Sequence, residues 1–151
     1  MNMQKVDDII MLIFQSAEVL YLELNRIVKP YNLTFEQLVL LNILVQKDGI
    51  SQKSISEMVH KDQANITRIL RRLGDKGFVE RRDSTKDKRL NLIYITESGR
   101  QLLQSLLPLR TSLKDYLYVG FEKEEQGELK TYLEKFLGVI KSNSSKFEYK
   151  I

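Results

Sequence analysis

The chain has 151 residues, 42% hydrophobic and 29% charged, a balance that fits one soluble globular domain and excludes disordered, collagen-like and low-complexity classes. It contains no cysteine and one histidine, His60, which removes disulfides, thiolate metal sites and cysteine nucleophiles and leaves a single imidazole for acid–base or metal chemistry. The formal net charge of +4 is unevenly placed: residues 60–89 carry ten Lys or Arg against five Asp or Glu, so the excess positive charge lies in that one segment.

Near the N-terminus, Asp7 and Asp8 precede a short apolar run, Ile9 to Phe14, which is the wrong charge for a signal peptide. The run "LVLLNILV" further on is far short of a bilayer span, so a cytoplasmic protein with no membrane partner is expected. Val6, Ile9, Ile10, Ile13, Phe14, Ala17, Leu20, Tyr21, Leu24, Ile27 and Val28 recur at intervals of three and four, predicting a long amphipathic helix that ends before Pro30. "TFEQ", Thr34 to Gln37, fits a capping box that opens a second helix running to about Lys47. Asp48-Gly49 breaks it. Ser51 caps a short third helix expected to bury Ile55, Met58 and Val59, and Asp62 caps a fourth expected to bury Ile66, Ile69, Leu70 and Leu73 before Gly77 ends it.

"FVERR" and "RLNLIYIT" then flank the polar turn "DSTKDK", which predicts a two-stranded hairpin. A leucine-rich helix starts at Thr96 or Ser98 and is expected to bend at Pro108, and a last helix from about Glu122 to Lys141 is expected to bury Leu129, Leu133, Phe136, Leu137 and Ile140. The tail "SNSSKFEYKI" is expected to be loose. Long helices at both ends of so short a chain carry more apolar surface than one small central module can cover, and a homodimer would supply the missing cover.

Short helix, tight connection, second helix and hairpin is the order of a winged helix-turn-helix, whose second helix enters the DNA major groove. At ~100° per residue, Ile66, Ile69, Leu70 and Leu73 fall on one side of that helix, and Ala64, Thr67, Arg68 and Arg71 on the other. Arg can make two bonds to guanine, Gln or Asn can do the same to adenine, and Ala or a Thr methyl can meet a thymine methyl; Gln63 and Asn65 in the first turn complete such a set. Lys86, Lys88 and Arg89 at the hairpin tip suit the phosphate backbone or a narrow minor groove, with Asp83 and Asp87 orienting the guanidinium groups. Met11, Tyr21, Tyr31 and Phe35 are candidates to line a small-molecule cleft near the junction of the first two helices, although such residues at helical spacing more often form core.

The stretch "NITRILRRLGDKGFVERRDSTKDKRLNLIYITESG", Asn65 to Gly99, resembles the multiple antibiotic resistance regulator (MarR) family of bacterial winged-helix transcription factors. The likeness lies in the hydroxyl-Arg pair of the recognition helix, Gly-aromatic-Val-Glu-Arg, Asp-x-Arg in the wing and Thr-x-x-Gly closing it. It implies an obligate homodimer joined through terminal helices, a palindromic operator, often a ligand-responsive cleft, DNA contacts from Thr67 and Arg68, and a wing pair of Asp87 with Arg89. His60-Lys61 departs from that pattern by making the helix-to-helix turn more polar.

The expected fold is therefore mainly α with a small β-hairpin wing: one domain over 1–151, with a winged helix-turn-helix at 34–99 and a helical dimerisation region at 1–30 and 100–142. The expected function is a homodimeric repressor of a palindromic double-stranded DNA operator, relieved by a small-molecule effector, with no metal and no cofactor. A ligand-sensing or protein-interaction module of the same fold that does not bind DNA is the alternative, and it predicts loss of the basic helix face. No Gly-rich phosphate loop, H-E-x-x-H or Ser-His pairing beyond His60 supports an enzyme.

Overall fold

A computed structural model describes residues 8–83 and 91–143. Helices α1 (Asp8–Val28) and α2 (Phe35–Gln46) are followed by strand β1 (Ile50–Ser51), helices α3 (Gln52–Val59) and α4 (Gln63–Asp75), strands β2 (Val79–Asp83) and β3 (Asn91–Ile95), and helices α5 (Glu97–Ser105), α6 (Leu107–Leu117) and α7 (Lys123–Asn143). The chain divides into two compact units, Met1–Ser105 and Leu106–Ile151.

In the first unit α2 is the central element, packed by α1, α4, α5 and β3. Its "LVLLNILV" run is apolar on most sides because it has neighbours on several of them; Leu40, Leu41 and Leu44 are fully buried, and Asn42 and Val45 face outward. Its start is the expected capping box: Gln37 N donates to Thr34 Oγ1 at 3.2 Å, and Thr34 N donates to Gln37 Oε1 at 3.1 Å. Asn25 of α1 adds a further cap, its Oδ1 accepting from Phe35 N at 3.0 Å. Gln37 is only 2% exposed, and its Oε1 also accepts from Lys76 Nζ at 3.2 Å, so the cap is tied to the far end of α4.

Asp48-Gly49 breaks α2 as expected, with Gly49 at φ +72°, and Tyr94 lies so close that a Cβ there would stand 2.7 Å from its ring. The three strands form an antiparallel sheet in the order β1-β3-β2, with Ile50 opposite Ile93 and Val79 opposite Ile95. Strand β1 was not anticipated, since two residues carry no alternation to read. In α3 only Ile55 is buried; Met58, expected in the core, is 40% exposed because it lies in the last turn, at the end of the helix away from β1.

Helix α4 buries the four residues expected of it. It ends in a Schellman arrangement, with Gly77 at φ +74°, Gly77 N donating to Gly74 O at 2.8 Å and Phe78 N donating to Leu73 O at 3.0 Å. Thr96 joins this turn to α5: its Oγ1 donates to Gly77 O at 2.6 Å and accepts from Gly99 N at 3.2 Å. Gly99 is pressed against the Phe78 carbonyl, and a Cβ there would also come within 2.7 Å of Ile95 Cγ1. The Thr-x-x-Gly motif is thus a cap followed by a close backbone crossing.

In the second unit the bend expected at Pro108 is instead a break. A single turn residue, Leu106, separates α5 from α6, and Pro108 sits in the first turn of α6, where its missing N–H costs nothing. Gly120 at φ +86° turns the chain into α7. Leu129, Leu133, Phe136, Leu137 and Ile140, expected to be buried, are all exposed, as α7 has no buried residue within this single chain. Likewise α1 buries only Leu24 and Val28, leaving Ile9, Leu12 and Phe14 more than half exposed. The part of the tail beyond Asn143 lies outside the described residues.

The crowding at Gly99 leads to a stability prediction. Gly99→Ala forces the Phe78 carbonyl or the Ile95 side chain to move, and overpacking of this kind costs about 1–3 kcal/mol. Urea unfolding followed by circular dichroism should show a lower midpoint with native helicity retained in buffer, and an unchanged midpoint would contradict the close crossing.

Candidate nucleic-acid interface

The connection between α3 and α4 is a three-residue turn built from local polar contacts. His60 occupies the left-handed region at φ 52° and caps α3 by donating its N–H to Ser56 O. Lys61 N donates to the same carbonyl at 3.2 Å, while Ser56 Oγ donates to Lys61 O. Lys61 Nζ reaches across to Glu36 Oε1 of α2 at 2.6 Å. The polar pair His60-Lys61 is therefore accommodated by one strained but tolerated backbone position and one ion pair to the central helix. Asp62 then caps α4, its Oδ1 accepting from Asn65 N at 2.8 Å.

Burial of Ile66, Ile69, Leu70 and Leu73 turns the opposite side of α4 outward. Gln63, Ala64, Thr67, Arg68 and Arg71 are exposed on it, and Asn65 is half-buried beside them. Six of the sequence-derived DNA candidates are thus brought together on one helix. Arg68 Nη2 donates to Asn65 Oδ1 at 2.8 Å, which steers the guanidinium toward the N-terminal half of the helix. Thr67 Oγ1 donates to Gln63 O at 2.8 Å, so the hydroxyl is turned back on its own helix. At the other end, burial and the neighbouring Arg72 charge lower the Lys76 pKa from its ordinary value, and Lys76 Nζ donates to Asn32 O as well as to Gln37.

Lys86, Asp87, Lys88 and Arg89 lie outside the described residues. What the described part of the wing adds is two arginines that sequence reasoning passed over. Arg82 ion-pairs with Glu80, and its guanidinium lies 4.6 Å from the centre of the Tyr94 ring, so it is engaged on the outer face of the sheet. Arg81 points the other way, lining with Thr67, Leu70, Arg71, Val79 and Ile93 a cavity of about 350 Å³ between α4 and the sheet. Gln52, the first residue of α3, was also missed: its Nε2 donates to Gln63 O at 3.1 Å and to Thr67 Oγ1, and its Oε1 accepts from Arg81 Nη2 at 3.3 Å. The period-two pattern of "FVERR" could have assigned Arg81 to the side shared with Val79, but no spacing rule points to Gln52.

The cleft candidates are more scattered. The backbones of Tyr21 and Phe35 are linked at the α1–α2 junction by Asn25, whose side chain donates to Tyr21 O at 2.8 Å and accepts from Phe35 N. Tyr31 is exposed in the short 3-10 turn Lys29–Tyr31. Met11 lies ten residues before Tyr21 on the same helix, about 15 Å away along its axis.

The model of the MarR family matches residues 33–90. The HTH-type transcriptional regulator YdgJ of Bacillus subtilis (strain 168) is 35% identical over 99 residues, a stretch that spans 60% of this chain and only 60% of that relative's length. Among solved structures, the transcriptional regulator SlyA is similar with a TM-score of 0.80 at 25% identity, covering 90% of this chain and 96% of SlyA. A mutant MarR from E. coli complexed with operator DNA is similar with a TM-score of 0.81 at 26% identity, covering 87% of this chain and 95% of that one. Residues 33–90 thus match the MarR family, and the chain is similar in fold to solved winged helix-turn-helix regulators over most of its length.

Proposed function

We propose that the protein is a transcriptional repressor that binds a palindromic operator as a homodimer, inserts α4 into the major groove and is relieved by a small-molecule effector in the cytoplasm. The observation that carries this reading is the outer face of α4, where Gln63, Ala64, Thr67, Arg68 and Arg71 stand on the side opposite a fully apolar stripe. Such a face combines donors that match guanine and adenine edges with small apolar groups that match a thymine methyl. The similar E. coli protein that was solved with operator DNA supports the same use of the fold. Within this proposal Lys86, Lys88 and Arg89 contact the phosphate backbone from the wing tip, and Asp87 holds Arg89 in one orientation. Tyr21, Tyr31 and Phe35 at the α1–α2 junction, with Met11 further along α1, remain the proposed ligand contacts.

The homodimer is proposed from the apolar surface that one chain leaves bare. Ile9, Leu12 and Phe14 on α1, and Leu129, Leu133, Phe136, Leu137 and Ile140 on α7, are exposed. On α7 they recur at intervals of three and four, which is the stripe of a helix that packs against another. Among the described residues no helix is long and apolar enough to cross a membrane, so a lipid phase is not the natural cover. A second copy of the chain is, and it also brings the second recognition helix that two half-sites ~34–36 Å apart require.

Replacing Arg68 by Ala removes the proposed base contact and should cost about 1–3 kcal/mol on the preferred duplex, with relaxed preference at one base pair and unchanged folding. Titration of selected and random duplexes side by side checks this, and equal weakening on both would reduce Arg68 to a phosphate contact. Leu133→Asp combined with Leu137→Asp would bury unpaired carboxylates in the proposed interface and should abolish dimer and operator binding together. Sedimentation equilibrium and a gel shift on the same samples decide it: a monomeric double variant that binds the full palindrome like the wild type would sink the dimeric architecture.

A further inference from the structure

The carboxamide of Gln52 joins three elements at once. Both of its N–H groups go to α4, one to the Gln63 carbonyl and one to Thr67 Oγ1, and its oxygen receives Arg81 Nη2 from β2. Between the outer half of α4 and β2 there is a cavity of about 350 Å³ rather than close packing, lined by Thr67, Leu70, Arg71, Val79, Arg81 and Ile93. Apolar contact holds the inner face of α4 to the sheet through buried Leu70, Val79 and Ile93, and on the outer side a single planar amide spans from α4 to Arg81.

The chemistry of the bridge suits a DNA-facing position. Gln52 is neutral, so Arg81 is oriented by it while keeping its full charge for a phosphate, whereas the charge of Arg82 is compensated by Glu80. Thr67 Oγ1 gives its proton to Gln63 O and takes one from Gln52, which fixes its rotamer. We propose that Gln52 is a positioning residue that clamps the wing to the first turns of the recognition helix, so that Arg81, Thr67 and Arg68 meet DNA in one fixed relation. This rests on the DNA-binding reading above and adds to it a residue that itself need not touch DNA.

Two variants test it, Gln52→Ala and the nearly isosteric Gln52→Met, neither of which removes a core side chain or the Ser51 cap. The probe is the tightest duplex recovered by wild-type protein from a randomised pool. Each variant should bind it more weakly, on the order of tenfold or more for the loss of two neutral hydrogen bonds and one from the Arg81 guanidinium, and should weaken less on random duplex. The salt dependence should stay at the wild-type slope because no phosphate contact is lost, whereas Arg81→Ala should lower that slope by about one. Gln52→Ala should lose less affinity when Arg81 is already Ala. Without DNA, amide exchange in β2 and in the first turn of α4 should quicken in Gln52→Met while α2 is unchanged. Wild-type exchange in both variants, or a recovered duplex bound with wild-type affinity and selectivity, overturns the clamp and leaves the DNA-binding reading intact. Quickened exchange with no duplex recovered by wild-type protein overturns the DNA-binding reading instead.

Discussion

Burial of Ile66, Ile69, Leu70 and Leu73 sets the rotation of α4 about its own axis, and the character of its outer face follows from that rotation. Each residue turns the helix by ~100°, so a slip of one position would carry Thr67 and Arg71, or in the other direction Arg68 and Arg72, toward the core and bring apolar groups to the surface. The stripe cannot slip, because it packs on the side of α2, whose own leucines are held by neighbours all round. The outer face of α4 is thus defined by what is hidden behind it.

Polar contacts then fix where along its axis α4 sits. At its start Asp62 caps the first turn, and Lys61 is anchored to Glu36 of α2. At its end Lys76 holds Asn32 O and Gln37 Oε1, again on the N-terminal side of α2. A partly exposed ion pair such as Lys61–Glu36 adds little to stability, and its value here is geometric. On the other side of the central helix, Asp48 accepts from Ile95 N at 2.9 Å and pairs with Arg100, so the same loop that ends α2 also holds the wing strand and α5. Both ends of α2 therefore serve as attachment points for α4 and the sheet.

What could be read from the sequence was what short-range rules encode. The Thr34 capping box, the Ser51 and Asp62 caps, the Gly77 helix end and the buried face of α4 all depend on residues within a few positions of one another, and each stands where it was expected. The hairpin was legible from its β-rich flanks. What escaped was set by contacts between distant segments. Strand β1 exists because Ile50 and Ser51 meet Ile93 and Leu92, more than forty positions away. Gln52 matters because Arg81 comes to it from another element, and nothing local marks it. Met58 has the right helical spacing for burial, but α3 is too short to bring its last turn under cover. The stripe on α7 was recognised as apolar, and its exposure follows from a property no pattern within one chain reports, namely what lies opposite it.

Helix α1 shows how the winged unit and the uncovered surface are related. Its last two turns belong to the core through Leu24 and Val28, while its first turns carry exposed Ile9, Leu12 and Phe14. A helix of 21 residues is a stiff rod about 31 Å long, so the two halves move together. The core half is joined to α2 by Asn25, whose Oδ1 holds Phe35 N at the start of the capping box. That box contains Gln37, and Gln37 holds Lys76 at the end of α4. The contacts are continuous from a helix only partly covered by its own chain to the one that would read DNA.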